Sequence, residues 1–196
     1  MVALLEADTY MIRQKVLKLL GEEFHIYSDE SMENMIGYSK KKALKLKEDI
    51  RVFSDEDKST ELIVIKARSI IDFGATYDVT DSQTGEPICS CKRGGLKSLL
   101  KDSWVVLDSE GNKVGTLGED SGVLALVRRF VPGMALLIPQ EFSLKMNGAS
   151  GKVTFIQKIN PLVHKLVVSG VSSSGIDPRI AASAAVLLIA IEGRQG

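Results

Sequence analysis

Residues Asp177 to Gly196 read DPRIAASAAVLLIAIEGRQG, and this stretch decides the fold. Asp177 is suited to accept a backbone N–H as an N-cap, and Pro178 fits the first helical position, where its missing N–H costs nothing. From Ile180 to Ile191 there is no charge and one polar residue, Ser183. A helix that is apolar all round has to be surrounded, by lipid or by protein. The run spans about 20 Å as a helix, short of the ~30 Å hydrocarbon layer of a bilayer. The sequence therefore predicts a buried central helix over 177–193, with Val186, Leu187 and Leu188 at its core. The rest of the chain is expected to wrap it.

That preceding chain is built from β-hairpins. Phe24-His25-Ile26-Tyr27 runs into Ser28-Asp29-Glu30 and returns through Met35 to Lys40. Ile50 to Phe53 runs into Ser54-Asp55-Glu56 and returns at Leu62 to Lys66. Tyr77 to Thr80 runs into Asp81 to Gly85 and returns at Ile88 to Lys92. Asp29, Asp55 and Asp81 are 26 residues apart, and each is followed eleven residues later by a lysine: Lys40, Lys66 and Lys92. Phe142 to Met146 turns at Asn147-Gly148 and returns to Lys158, again eleven residues after Asn147. Asp and Asn open turns because their side chains bond backbone two residues on. Trp104 to Asp108 begins a further hairpin; Asp8 to Lys18 starts either a strand or a short helix, the β pattern that follows favouring a strand, and His164 to Val168 reads as the last strand. Ser121 to Val131 reads as a short amphipathic helix, and Gly94 to Lys101 as a helical turn or a plain connection. A flexible SGVSSSGI segment, 169–176, leads into the closing helix. Roughly a dozen strands over 10–170 suffice for a closed antiparallel barrel wide enough to hold a filling, and closure removes the exposed edges. The expected architecture is mainly β: one domain, 1–196, a barrel enclosing an apolar C-terminal helix.

Composition narrows the function classes. Charged residues make up 26% and apolar residues 44%, as in a globular protein. Lys plus Arg equals Asp plus Glu at 25 each, so net charge gives no drive toward nucleic acid, and attraction to an anionic membrane has to come from a local patch. The N-terminus, MVALLEADTY, lacks the basic start and long apolar run of a secretory signal, which predicts a cytoplasmic protein, peripheral to the membrane if it meets one. Cys89 and Cys91 point the same way on an extended strand and read as small apolar residues rather than a disulfide or half a zinc site. His25 and His164 lie far apart in sequence. No G-x-S-x-G, no H-E-x-x-H and no glycine-rich phosphate motif is present. The expectation is a protein that is not an enzyme, with no cofactor, metal or catalytic residue.

The strongest chemical feature is basic. SKKKALKLK, 39–47, offers Lys41, and on one strand face Lys45 and Lys47. CKRGGLK, 91–97, adds Lys92, Arg93 and Lys97 beside a glycine pair whose N–H groups suit a phosphate. Each lysine near an anionic lipid surface contributes about 1 kcal/mol. The competing reading is that these lysines decorate the outside of barrel strands and keep them soluble.

The opening YMIRQK, the hairpin repeats, LVRRF followed by IPQEFSLK, then GKVTFIQK and the closing DPRIAASAAVLLIAIE resemble the LURP-one-related proteins, which belong with the tubby C-terminal domains and the phospholipid scramblases. The resemblance covers about Tyr10 to Glu192. It implies a twelve-stranded β-barrel around a hydrophobic helix, and a binding module for anionic phospholipid, phosphoinositides among them, or for a protein partner. Lipid transport of the scramblase kind is the alternative it implies. The sequence has no cysteine cluster of the scramblase kind, and no stretch matches the basic pocket of tubby domains residue by residue.

Overall fold

The computed structural model describes residues 2–17, 21–42, 48–68, 74–94, 103–120, 139–158 and 163–191. A one-turn helix, α1 (Ala3–Glu6), precedes twelve strands: β1 (Tyr10–Leu17), β2 (Gly21–Tyr27), β3 (Met35–Lys42), β4 (Asp49–Phe53), β5 (Glu61–Ala67), β6 (Thr76–Asp81), β7 (Pro87–Arg93), β8 (Ser103–Leu107), β9 (Lys113–Glu119), β10 (Gln140–Met146), β11 (Lys152–Lys158) and β12 (Lys165–Ser169). The closing helix is α2 (Pro178–Ile191). Each strand pairs antiparallel with its neighbours in sequence, and β1 pairs with β12 to close the barrel. The twelve-stranded barrel around a helix is the predicted architecture. α1 was not predicted; its apolar contribution is a single buried leucine, Leu4.

Strand alternation produces the barrel wall. Ile12, Phe24, Ile26, Ile50, Val52, Ile63, Ile65, Val79, Phe142, Leu144, Phe155 and Val168 are buried, and their sequence neighbours lie on the outer face. Cys89 and Cys91 follow the same parity and are buried free thiols. Burial and the adjacent Cys89 thiol push the Cys91 pKa up, so it is an inert apolar group.

α2 fills the interior. Every residue from Ile180 to Ile191 is buried, alanines dominating its first half and larger side chains its second. Fourteen residues give about 21 Å, which matches the height of seven-residue strands tilted in a barrel. Ser183 Oγ donates to Arg179 O at 2.8 Å, satisfying the one polar side chain of the run. The predicted cap is present: Arg179 N donates to Asp177 Oδ1 at 2.8 Å. Arg179 also fastens the helix to the wall through Asp81 at 2.7 Å, while Asp177 at the helix cap holds the same guanidinium at 2.6 Å.

All connections alternate between two rims. At the turn rim lie 28–34, 54–60, 82–86, 108–112 and 147–151, together with the entry to α2. The opening Asp of each predicted turn accepts a backbone N–H: Ser31 N on Asp29 at 2.8 Å, Ser59 N on Asp55 at 3.0 Å and Gln83 N on Asp81 at 2.7 Å. Asn147 differs, its side chain donating to Lys113 O at 3.4 Å. The segment 169–176, expected to be flexible, is instead tied down: Ser172 Oγ donates to Asp8 at 2.7 Å, and Ser174 Oγ to Val171 O at 2.8 Å. Serines make that possible because each hydroxyl replaces a water partner for nearby backbone and carboxylate. The opposite rim, the mouth, is where β1, β3, β5, β7, β9 and β11 end. The predicted helix over 121–131 and most of the turn over 94–101 lie outside the described residues.

Candidate functional site

The mouth places charge on both faces of the wall. On the inner face, strand parity puts Lys41 in line with Gly37 and Ser39, and it is buried with its Nζ on Glu48. Tyr77 Oη donates to the same carboxylate at 2.5 Å. Gln14 Nε2 donates to Glu22 at 3.2 Å. Arg93 shares the inward parity of Cys89 and Cys91, is buried, and lies over the Trp104 ring at 6.0 Å. Lys41 and Arg93 were predicted as exposed lipid-binding cations, and the structure corrects both. A period of two turns every second residue of a strand inward regardless of its charge, and a buried charge then has to be paired. Of the other predicted cations, Lys92 is exposed on the outer face of β7. Lys45, Lys47 and Lys97 lie outside the described residues.

On the outer face the structure assembles a belt that the sequence did not single out as a site. Lys15, Lys40, Lys66, Lys92, Lys158 and Lys165 all lie within two residues of the mouth end of their strands. All belong to the parity opposite the buried wall residues. Three of them are the lysines of the 26-residue repeat and Lys158 is its later echo, so the signal was present as spacing. Its meaning needed the up-and-down topology, which carries equivalent repeat positions to one rim. Lys40 pairs with Glu23 at 3.4 Å and Lys158 with Glu30 at 3.0 Å. Lys15, Lys66, Lys92 and Lys165 make no ion pair among the described residues, although Lys15 stands opposite Glu23 and Lys66 between Asp49 and Asp78, whereas Lys92 and Lys165 have no carboxylate opposite them.

The turn rim carries many carboxylates, Asp29, Glu30 and Glu33 in one connection, Asp55, Glu56 and Asp57 in the next, then Asp108 and Glu110, beside the cations Lys58, Lys113, Lys145 and Lys152. Hydrogen bonds within these turns lower the pKa values of Asp29, Asp55 and Asp108. The Ser172 hydroxyl and the Ser173 N–H lower the Asp8 pKa, and the Asn112 N–H and amide lower that of Asp108. For Asp81, burial pushes upward, and the Arg179 bond with the Gln83 and Thr84 N–H groups outweighs it.

Neither histidine joins the other. His25 is on the outer face, 3.5 Å from Glu56 and 5.7 Å between ring centroids from Tyr38. His164 meets Gln157 at 3.4 Å. Among the described residues no three His, Cys, Asp or Glu side chains are grouped to hold a metal. A shallow groove on β5 and β6 is lined by Glu61, Lys66, Asp78 and Asp81, and its carboxylates are taken up by Arg51, Arg68 and Arg179.

A family model described as LURP-one-related matches residues 35–148, from the start of β3 to the β10–β11 turn. The chain belongs to the LURP-one-related family. No curated protein and no solved structure matches it. In this LURP-one-related barrel the match contains three of the belt lysines, Lys40, Lys66 and Lys92. The β1–β12 closure and α2 lie beyond it. No helix among the described residues is long and apolar enough to cross a membrane.

Proposed function

We propose that this chain is a non-catalytic binding module that sets its mouth rim against an anionic phospholipid surface at the cytoplasmic side of a membrane. The outer lysine belt carries the reading: six lysines gather near one rim of the barrel, four of them without an ion pair among the described residues. The belt gives a protein of zero net charge a local cluster of lysines that a negative surface attracts. About 1 kcal/mol for each lysine brought to the surface makes such a belt sufficient for reversible attachment. Inner-face charges such as Lys41 contribute to the fold and not to the surface. Lipid transport is the weaker reading, because α2 occupies the barrel interior.

Co-sedimentation with phosphatidylserine vesicles and with neutral vesicles, at low and moderate salt, tests this. Attachment that requires the anionic lipid, weakens with salt and drops in a Lys66→Glu/Lys92→Glu variant is the expected result. Absence of attachment to any vesicle sinks the membrane reading and leaves a protein partner as the occupant of the rim.

A further inference from the structure

Residues directly opposite in an antiparallel pair have Cβ atoms about 5 Å apart, and like charges there are destabilising. The barrel contains such oppositions, and most are answered. Lys40 faces Arg51, with Glu23 on the first and Asp49 and Glu61 on the second. Lys145 faces Lys152, which Asp120 holds at 2.9 Å. One row is different. Lys158 faces Lys165, and Lys165 faces Arg13, on the outer face of three consecutive strands. Glu30 takes Lys158 at 3.0 Å. No carboxylate pairs with Lys165 or Arg13 among the described residues.

The place of this row matters as much as its charge. β12 and β1 are the last and first strands, so their pairing is the seam that closes the barrel. The seam has four register pairs, against seven between β1 and β2. Arg13 opposite Lys165 is the last of the four toward the mouth. Repulsion therefore acts at the mouth end of a seam of four pairs, the same number as join β3 to β4 and β7 to β8, and no carboxylate among the described residues relieves it. An anion seated between the two strands converts that repulsion into two charge-assisted contacts, and the planar guanidinium fork matches phosphate oxygens. Three cations across two interstrand spacings extend over about 10 Å, enough for an anion with more than one phosphate.

We propose that the Lys158–Lys165–Arg13 row binds a polyphosphorylated anion, and that the bound anion clamps the β1–β12 seam. This deepens the anionic-surface reading and rests on it for a lipid source of the phosphates; a soluble source does not depend on it. The site differs from the general belt in using Arg13 and in coupling binding to barrel stability.

Thermal unfolding of the full chain with sodium tripolyphosphate, against sodium chloride of equal ionic strength, is the first arm. Tripolyphosphate near saturation raises the midpoint by about 5 °C. The rise disappears in Arg13→Ala/Lys165→Ala. Lys165→Glu without ligand melts above the parent, because it replaces repulsion with a pair, and it no longer responds to tripolyphosphate. The second arm is attachment to neutral vesicles carrying a phosphatidylinositol bisphosphate. There Arg13→Ala/Lys165→Ala weakens binding about tenfold, as loss of charge-assisted contacts predicts, a larger loss than the same variant shows on phosphatidylserine vesicles. A tripolyphosphate response without vesicle binding assigns a soluble polyphosphate as the source and still supports the site. The proposal is overturned by a midpoint rise no larger than that of chloride, by an equal rise in Arg13→Ala/Lys165→Ala, or by a Lys165→Glu variant less stable than the parent.

Discussion

The two rims of the barrel are made from the same hairpins and solve opposite problems. At the turn rim, short connections satisfy themselves: Asp29, Asp55, Asp81 and Asp108 each accept backbone N–H groups from their own turn. Two of these turns lack glycine, and Met32 and Lys58 take the left-handed conformation at φ 60 instead. Asp81 does a second job by gripping Arg179, so the helix entry and the turn stabilise one another. At the mouth rim the cations are split by the wall. Lys41 and Arg93 are turned inward and buried, whereas Lys66, Lys92, Arg13 and Lys15 stand in solvent. The turn-opening aspartates at the turn rim are answered within the fold. Basic groups at the mouth are answered only in part, and the remainder is what a partner can use.

The comparison breaks most severely if the interior does not distinguish α2 from the wall. Leu188→Asp places an unpaired carboxylate in that interior and is expected to cost about 3–5 kcal/mol, read by denaturant unfolding. A variant that stays folded with near-parental stability means that α2 is not the core. Next comes the split at the mouth. Lys41→Met, which leaves the Glu48 carboxylate with Tyr77 but without its lysine, is expected to lose about 1–3 kcal/mol of stability and to keep vesicle attachment. Lys92→Glu is expected to change stability by under about 0.5 kcal/mol and to weaken attachment. Similar effects of the two substitutions on attachment would erase the distinction between inner and outer cations.

Acid sharpens the contrast between rims. The pKa values of Asp8, Asp81 and Asp108 are lowered in the fold, so their stabilisation is complete above the ordinary aspartate range and is lost as pH falls through the depressed values. Amide exchange at low pH is therefore expected to rise first at 82–86, 108–112 and 170–177, ahead of the strands, while Lys and Arg stay charged. Uniform loss of protection would show that the turns are not separately held. The smallest effect concerns strain. Lys58→Gly relieves the left-handed cost of about 1 kcal/mol and gives up a contact of Lys58 with the Tyr38 ring at 5.9 Å. The expected balance is a gain of about 0.5 kcal/mol by denaturant unfolding.

Much of this fold is legible because its signals are local. The cap at Asp177, the uncharged run from Ile180 to Ile191 and the turn-opening aspartates are each readable within a few residues. The lysine spacing was equally plain, yet its consequence was not, because a spacing says nothing about which rim receives it. Lys41 and Arg93 were misplaced for a related reason. They lie in basic runs, and a basic run reads as surface until the register of the strand is known. Arg13 and Lys165 are separated by most of the chain, and no local pattern links them.

By itself, the sequence determined that an apolar helix had to be enclosed, that hairpins would enclose it, and where the chain would turn. These follow from hydrophobic burial and from side chains bonding their own backbone. Tertiary structure decided which cations face inward, which gather at one rim, and which meet across the seam. Those outcomes depend on strand register and on closure of the sheet, which bring together residues far apart along the chain.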